Sequence, residues 1–168
     1  MPDQQMPNPY APPKSDATSD DVGVGIAAFP RHSTLWLLAV SVVTLGIYSY
    51  YWSYDRSRML NRLLPQNPVP PLVWQVAIGA QLLNVVSDIP AAVFPSIYWP
   101  DELGIAIATL ALVANVVWTF AMRNRLNVLV GATRDSEKWF HAVFALLLSS
   151  LYLCYKINRN IEFAHARS

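Results

Sequence analysis

Side chains able to do acid–base, nucleophilic or metal chemistry are few and scattered in this sequence. The three histidines, His32, His141 and His165, lie far apart. Cys154 is the only cysteine, which excludes an intrachain disulfide and any metal motif built on cysteine pairs. Because the sequence shows no Ser/His/Asp arrangement, paired catalytic carboxylates or phosphate-binding loop, it predicts no catalytic residue, no cofactor and no metal site. We therefore expect a protein that is not an enzyme.

A second group of polar residues lies inside an apolar segment. Gln81, Asn84 and Asp88 are three and four residues apart, a spacing that places them on one face of a helix. Polar groups that face lipid are costly, so this face should meet another helix or water. Asn115, in the next apolar segment, is a plausible partner. Polar contact between helices is the favoured interpretation, and a conduction path for a solute is the alternative.

Two blocks of ten residues, 52–61 and 118–127, resemble each other. Both begin with Trp, continue with Ser or Thr and then Tyr or Phe, and end with Leu-Asn. The offset is 66 residues, about the length of one helical hairpin with its loops. We predict that a two-helix unit is duplicated. The alternative is coincidence, because aromatic residues followed by basic ones commonly end a membrane-spanning helix.

Each block also has an apolar stripe with arginines beside it, which predicts a basic amphipathic helix at a membrane surface over 52–64 and 118–130. Basic residues near an anionic membrane contribute about 1 kcal/mol each. The predicted lipid-contacting residues are Trp52, Arg56, Arg58, Arg62, Trp118, Arg123 and Arg125.

The elements that carry these residues are predicted to be membrane helices. Hydrophobic residues make up 54% of the 168 residues and charged residues 14%, whereas about 25% are charged in a soluble domain. Apolar runs predict an all-α bundle of four transmembrane helices, arranged as two similar hairpins. The predicted spans are 33–54, 72–89, 103–122 and 139–155, within a domain covering 31–161. A disordered tail rich in Pro and Asp is predicted over 1–30, and a short polar tail over 162–168.

The distribution of basic residues predicts an orientation. If all four segments cross, loops 55–71 and 123–138 share one side and carry seven Lys and Arg residues. The other side has five, and none of these lies in its loop 88–102. The positive-inside rule then places both loops in the cytoplasm and both termini outside. The predicted location is the inner, cytoplasmic membrane.

Two motifs carry a resemblance to a known family. Thr44-Leu45-Gly46-Ile47-Tyr48, followed by Tyr51-Trp52, resembles the signature of a bacterial membrane family, the domain-of-unknown-function family 4234. The ending Tyr152-Leu153-Cys154-Tyr155-Lys156-Ile157-Asn158 is similar to that of its longer members, as is Arg123-Asn124-Arg125-Leu126-Asn127. The resemblance extends over residues 31–161 and implies a small bacterial membrane protein without implying an activity.

The function expected from the sequence is therefore non-catalytic. The leading hypothesis is an integral membrane protein that binds a partner or organises lipid, and the alternative is a small transporter or channel subunit. The expected partners are membrane lipids, anionic lipids among them, and another membrane protein or a second copy of the chain. Because the net charge is only +1, no nucleic-acid partner is expected.

Overall fold

The computed structural model describes residues 24–93 and 100–166, with the side chains of 24, 88, 90–93 and 101 left out. These residues form helices and no strand, which confirms the all-α class. The helices are α1 (Val24–Ala27), α2 (Thr34–Val43), α3 (Ile47–Leu63), α4 (Pro71–Val93), α5 (Asp101–Leu129) and α6 (Ala142–His165).

The first predicted span, 33–54, is a hairpin of two helices and not one helix. After α2, the Gly46 N–H donates to the Ser41 carbonyl and the Leu45 N–H to the Val42 carbonyl, as in a Schellman motif. Leu45 and Gly46 both have a positive φ, 52° and 88°. Ten residues into α3, Arg56 lies over the ring of Phe29, which precedes α2. The two helices therefore run antiparallel, and the prediction of a continuous helix was wrong because it treated an apolar turn as helix.

The longest pair, α4 and α5, corresponds to the second and third predicted spans. Buried alanines on both helices allow close packing, and the Gln81 Nε2 donates to the Ala111 carbonyl at 3.3 Å. The alanines are Ala77, Ala80, Ala111 and Ala114. Among the described residues, the segment Glu102–Leu129 is long and apolar enough to cross a membrane, whereas Thr34–Val43 and Pro71–Ser87 are apolar but shorter.

The fourth predicted span, 139–155, is also broken. Ser149 has φ 40° and ψ −117° inside α6, which is not helical geometry. The His141 N–H donates to the Tyr152 hydroxyl at 2.8 Å, although eleven residues of straight helix would separate the two backbones by about 16 Å. The rings of Phe144 and Tyr152 are 5.7 Å apart. The chain therefore reverses at Ser149, and 142–148 folds back on the rest of α6.

One end of the molecule, which we call the basal end, holds the segments that connect one hairpin to the next. It contains residues 24–32, 56–70, 118–141 and 156–166. The Asn158 side chain bonds the backbone of His32, the Arg125 Nε donates to the Asn67 carbonyl, and the Asn160 Nδ2 donates to the Lys138 carbonyl. The three hairpins project from this end in the same direction.

The predicted boundaries and sidedness need correction. Ile26 and Phe29 are buried, so the residues from 24 onward belong to the packed domain, and α6 continues to His165 where a polar tail was predicted from 162. Residues 24–32 and 156–166 lie at the same end as loops 64–70 and 130–141, whereas the sequence placed them on opposite sides. The rest of the predicted disordered tail, 1–23, lies outside the described residues.

Candidate membrane-facing surface and basal end

The exposed surface of the hairpins is apolar. At the tip of the α2–α3 hairpin, Val42, Val43 and Leu45 are exposed. At the tip of the hairpin within α6, Leu146, Leu147 and Leu148 are exposed. Exposed apolar residues also line the outer face of α5, Ile105, Leu112 and Val113 among them. A continuous apolar surface of this kind marks a contact with lipid or with another protein.

The basal end, in contrast, holds the basic residues. Of the twelve Lys and Arg residues, Lys14 and Arg167 lie outside the described residues, and the other ten all lie in the basal segments. They are Arg31, Arg56, Arg58, Arg62, Arg123, Arg125, Arg134, Lys138, Lys156 and Arg159. The segment 88–102 has none in its sequence.

Two asparagines, one from each repeated block, hold the basal loops in place. The Asn61 Oδ1 accepts from the Val69 N–H at 2.7 Å, and its Nδ2 donates to the Val69 carbonyl at 2.9 Å. The Asn127 Oδ1 accepts from the Phe140 N–H at 2.8 Å, and its Nδ2 donates to the Phe140 carbonyl at 3.4 Å. Val69 and Phe140 are fully buried. The sequence repeat therefore corresponds to a repeated structural device.

Three of the predicted lipid-contacting residues are buried and cannot meet a headgroup. Trp52, Arg56 and Trp118 are only 3%, 1% and 2% exposed. The Trp118 Nε1 donates to the Ser57 Oγ at 2.9 Å. The prediction failed for these residues because helical periodicity locates a stripe but does not show which neighbour covers it.

Arg56 is the most unusual of these residues, because it is a charged group in the packed interior. Its guanidinium lies over the rings of Phe29 and Trp52, and its Nε is 3.8 Å from Asp55. Burial lowers the pKa of Arg56 from its ordinary value, while the charge of Asp55 raises it. The Arg56 Nη2 and the Trp52 Nε1 are buried without a hydrogen-bond partner among the described residues.

The other four predicted lipid-contacting residues divide into two pairs. Arg123 and Arg125 are half-buried and bind loop carbonyls: the Arg123 Nε donates to Phe140 at 2.7 Å, and the Arg125 Nε donates to Asn67 at 3.1 Å. Arg58 and Arg62 are exposed on α3. Of the seven predicted lipid-contacting residues, this second pair is therefore the exposed one at the basal end.

The predicted polar face makes contacts between helices at Gln81, whose described hydrogen bonds go to α3 and α5 and not to Asn115. The Gln81 Oε1 accepts from the Tyr50 hydroxyl at 3.3 Å, so Gln81 links α3, α4 and α5. The Asn115 Oδ1 instead accepts from the hydroxyls of Ser149 at 3.3 Å and Thr119 at 3.5 Å. Asn84 is half-buried on α4. The Asp88 side chain lies outside the described part of the structure.

Acidic and metal-ligating side chains do not gather in the parts of the chain that the structure describes. Across 24–93 and 100–166, no group of three or more His, Cys, Asp or Glu side chains could hold a metal ion. Cys154 is buried, and its Sγ donates to the His32 carbonyl at 3.4 Å.

A scan against family models matches residues 32–128 to a domain of unknown function, DUF4234. The chain belongs to this family. The DUF4234 segment extends from the start of the first hairpin to the end of α5, so it contains both repeated blocks and the turn at Thr44–Gly46. The match does not extend to the ending 152–158 in α6. Neither the curated proteins nor the solved structures gave a match to this DUF4234 chain.

Proposed function

We propose that this protein is a non-catalytic integral membrane protein, which enters the bacterial inner membrane from the cytoplasmic face and organises the lipid around it. In this proposal α4 and α5 cross the bilayer, while the α2–α3 hairpin and the α6 hairpin enter from the basal end and return to it. One observation carries the proposal. Three apolar hairpins project from an end that holds all ten basic residues of the described chain.

Helix length separates the crossing pair from the two shorter hairpins. At about 1.5 Å per residue, the 23 residues of α4 and the 29 residues of α5 extend about 35 Å and 43 Å. Both lengths exceed the hydrocarbon core of about 30 Å, and the apolar part of α4, Pro71–Ser87, occupies most of that thickness. The ten residues of α2 extend only about 15 Å. This length supports a hairpin that enters one leaflet and replaces the predicted four-span arrangement.

The turn of the α2–α3 hairpin is compatible with lipid because its backbone groups are paired. The N–H groups of Thr44, Leu45 and Gly46 donate to carbonyls within α2, and the Thr44 hydroxyl donates to the Val40 carbonyl at 2.7 Å. Backbone polar groups in a membrane must be satisfied within the protein, and these bonds satisfy the three N–H groups of the turn. The apolar side chain of Leu45 then extends the lipid-facing surface.

The basal end supports binding to anionic headgroups. The positive-inside rule favours the cytoplasmic side for its basic residues, and the anionic lipids of that leaflet attract each exposed Lys or Arg by about 1 kcal/mol. The α2–α3 and α6 hairpins would occupy one leaflet and displace lipids there without crossing the bilayer. Interfacial helices influence lipid packing in the same way. A partner protein would bind at the same cytoplasmic end.

Cysteine accessibility tests the topology. In a Cys154→Ala background, single cysteines replace Arg31, Arg62, Arg134, Glu102, Val43 and Leu147, all of which are exposed. A membrane-impermeant maleimide is then applied to right-side-out and inverted membrane vesicles. We expect the Arg31, Arg62 and Arg134 positions to label only in inverted vesicles, Glu102 only in right-side-out vesicles, and the two tip positions in neither.

The Arg31 position distinguishes this topology from four spans. In a four-span bundle it labels from the side opposite to Arg62, and that result would replace the proposed hairpins with crossing helices. Labelling of the Val43 and Leu147 positions in both vesicle types would contradict membrane insertion altogether. Carbonate extraction of the same vesicles provides an independent control, since an integral protein stays in the membrane fraction.

A small transporter or channel subunit is the second candidate, favoured by the polar cluster at the break in α6. Broken helices line substrate sites in many transporters, and the Ser149 hydroxyl lies 2.9 Å from that of Thr119 and 3.3 Å from the Asn115 Oδ1. If this function is correct, Asn115→Ala and Asp88→Asn should change a solute flux in reconstituted vesicles. Equal fluxes with and without the protein would exclude it.

A further inference from the structure

A groove between α3 and α4 has the shape and chemistry of a binding site for a lipid chain. Its volume is about 440 Å³, and exposed residues of both helices line it. Along α3 it extends from Ile47 to Tyr54, a distance of about 10 Å at 1.5 Å per residue. The residues that line it include Ile47, Tyr50, Tyr51, Trp74, Ile78 and Gly79.

The walls of the groove present apolar surface even where their residue types are polar. The Tyr50 hydroxyl is bonded to Gln81 at 3.3 Å, and the Tyr54 hydroxyl accepts from the Arg58 Nη1 at 2.9 Å. The Tyr54 ring meets Trp74 edge to face, with centroids 5.1 Å apart. Because these hydroxyls are engaged, the rings are what an occupant of the groove would touch.

Gly79 leaves one side of the groove open. A Cβ built at this position would meet no atom within 4 Å, so no close approach of another helix requires a glycine there. Glycine inside a helix costs about 1 kcal/mol relative to alanine. The position is therefore suited to keeping space for something that is not part of this chain.

A basic residue stands at the basal end of the groove. Arg58 follows Tyr54 by one helical turn, its guanidinium lies 5.4 Å from the Tyr54 ring centroid, and it forms no ion pair among the described residues. Arg62 is exposed one turn further along α3. The groove is thus lined by aromatic and apolar residues except at Gln75, and it is positively charged at one end.

We propose that this groove binds an acyl chain of an anionic phospholipid and that Arg58 binds the headgroup phosphate. An amphiphile with a negative charge at one end complements this distribution, because its apolar chain matches the groove and its charge matches Arg58. The proposal rests on the membrane insertion proposed above. Arg58 would hold the lipid at the cytoplasmic face while Gly79 leaves room for its chain.

Native mass spectrometry of the full-length protein tests the site. The protein is purified in a mild detergent, supplied with equal amounts of phosphatidylglycerol and phosphatidylcholine, and the bound lipid is counted. We expect the wild-type protein to retain phosphatidylglycerol preferentially. Gly79→Leu fills the groove, and it should lower the bound fraction to about a tenth or less, since several methylene contacts are lost.

Two matched controls keep the test specific. Gly104→Leu introduces the same side chain at another helical glycine with open space around it, outside the groove, and should retain lipid as the wild type does. Arg58→Gln should weaken phosphatidylglycerol binding by about fivefold and remove the preference over phosphatidylcholine. Arg134→Gln, at an exposed basal arginine away from the groove, should leave that preference intact.

Four results would overturn the inference. Equal lipid retention by Gly79→Leu and Gly104→Leu would remove the groove as the site. A change from dimer to monomer in Gly79→Leu, with lipid binding unchanged, would assign the groove to a second copy. If the wild-type protein resists carbonate extraction from membranes but retains no phosphatidylglycerol, the lipid site is excluded and the membrane proposal still holds. If carbonate extracts the protein, both proposals are excluded.

Discussion

Asn61 and Asn127, 66 residues apart, make the same pair of hydrogen bonds to the backbone of a buried residue in the loop that follows. Each asparagine lies near the end of its helix, and each follows a fully buried leucine, Leu60 or Leu126. An amide side chain is suited to this role because it carries a donor and an acceptor side by side. The two helices therefore pass into the basal loops through equivalent contacts.

Removing these amides should destabilise the fold. Asn127→Ala leaves the buried Phe140 N–H without its partner, and we expect the free energy of unfolding to fall by about 2–3 kcal/mol. Asn61→Ala should cost about 1–2 kcal/mol, because Asn61 is only half-buried. Unfolding of the detergent-solubilised protein by denaturant measures both. Asn124→Ala, at an exposed asparagine on the same helix, is the control, and an equal loss there would contradict the assignment.

The repeat was visible in the sequence, but the role of its residues was only partly predictable. Identical spacing of Trp, Leu and Asn in the two blocks indicated duplication, and the structure shows Trp52 and Trp118 both buried. The sequence did not reveal that Arg56 is buried. Arg56 follows Trp52 by four residues, and the equivalent position in the second block is the buried, apolar Met122. Periodicity specifies a helical face, whereas burial depends on which other segment packs against it.

The two reversals were missed for a different physical reason. A turn in a soluble protein is signalled by polar residues, glycine and proline, but the turn at Leu45 and the reversal at Ser149 lie within apolar runs. The Leu45-Gly46 pair carried a signal, since a glycine after an apolar segment often ends a helix. At the second reversal the signal was weaker, because the polar pair Ser149-Ser150 has no glycine or proline beside it.

A buried hydrogen bond between α3 and α5 allows a comparison of two neighbouring serines. The Ser57 Oγ accepts from the Trp118 Nε1 at 2.9 Å, so Ser57→Ala leaves a buried indole N–H unpaired and should cost about 1–3 kcal/mol. The Ser53 Oγ donates to the Ser49 carbonyl on its own helix. Ser53→Ala should therefore change the stability by less than about 0.5 kcal/mol. Thermal unfolding with equal shifts in the two variants would contradict this account.

His32 should make the stability of the basal end depend on pH. Burial lowers the pKa of His32 from its ordinary 6.5, the charge of Arg56 lowers it further, and Asp55 opposes both effects. Because the folded state disfavours the protonated imidazole, the unfolded chain binds the proton more readily. The stability contribution is thus complete above pH 6.5 and decreases as the pH falls below that value.

The measurement is thermal unfolding in a nonionic detergent between about pH 7.5 and pH 5. His32→Gln should flatten the decrease in melting temperature at the acidic end. Asp55→Asn should make the decrease steeper, since it removes the carboxylate that supports the protonated form. A steep decrease that persists in His32→Gln would assign the dependence to another group.

Leu45 provides a test of the first hairpin in which two glycine substitutions should have opposite effects. Leu45 is 72% exposed and has a φ of 52°, a conformation that costs a residue with a Cβ about 1–2 kcal/mol. Leu45→Gly should therefore raise the free energy of unfolding in detergent by about 0.5–1 kcal/mol, after allowing for the greater freedom of glycine in the unfolded chain. Val42→Gly, three residues earlier and 68% exposed, places glycine inside α2 and should lower it by about 1 kcal/mol. The same sign in both variants would indicate that the chain continues through 44–46 as a helix, and the α2–α3 hairpin would then have to be abandoned.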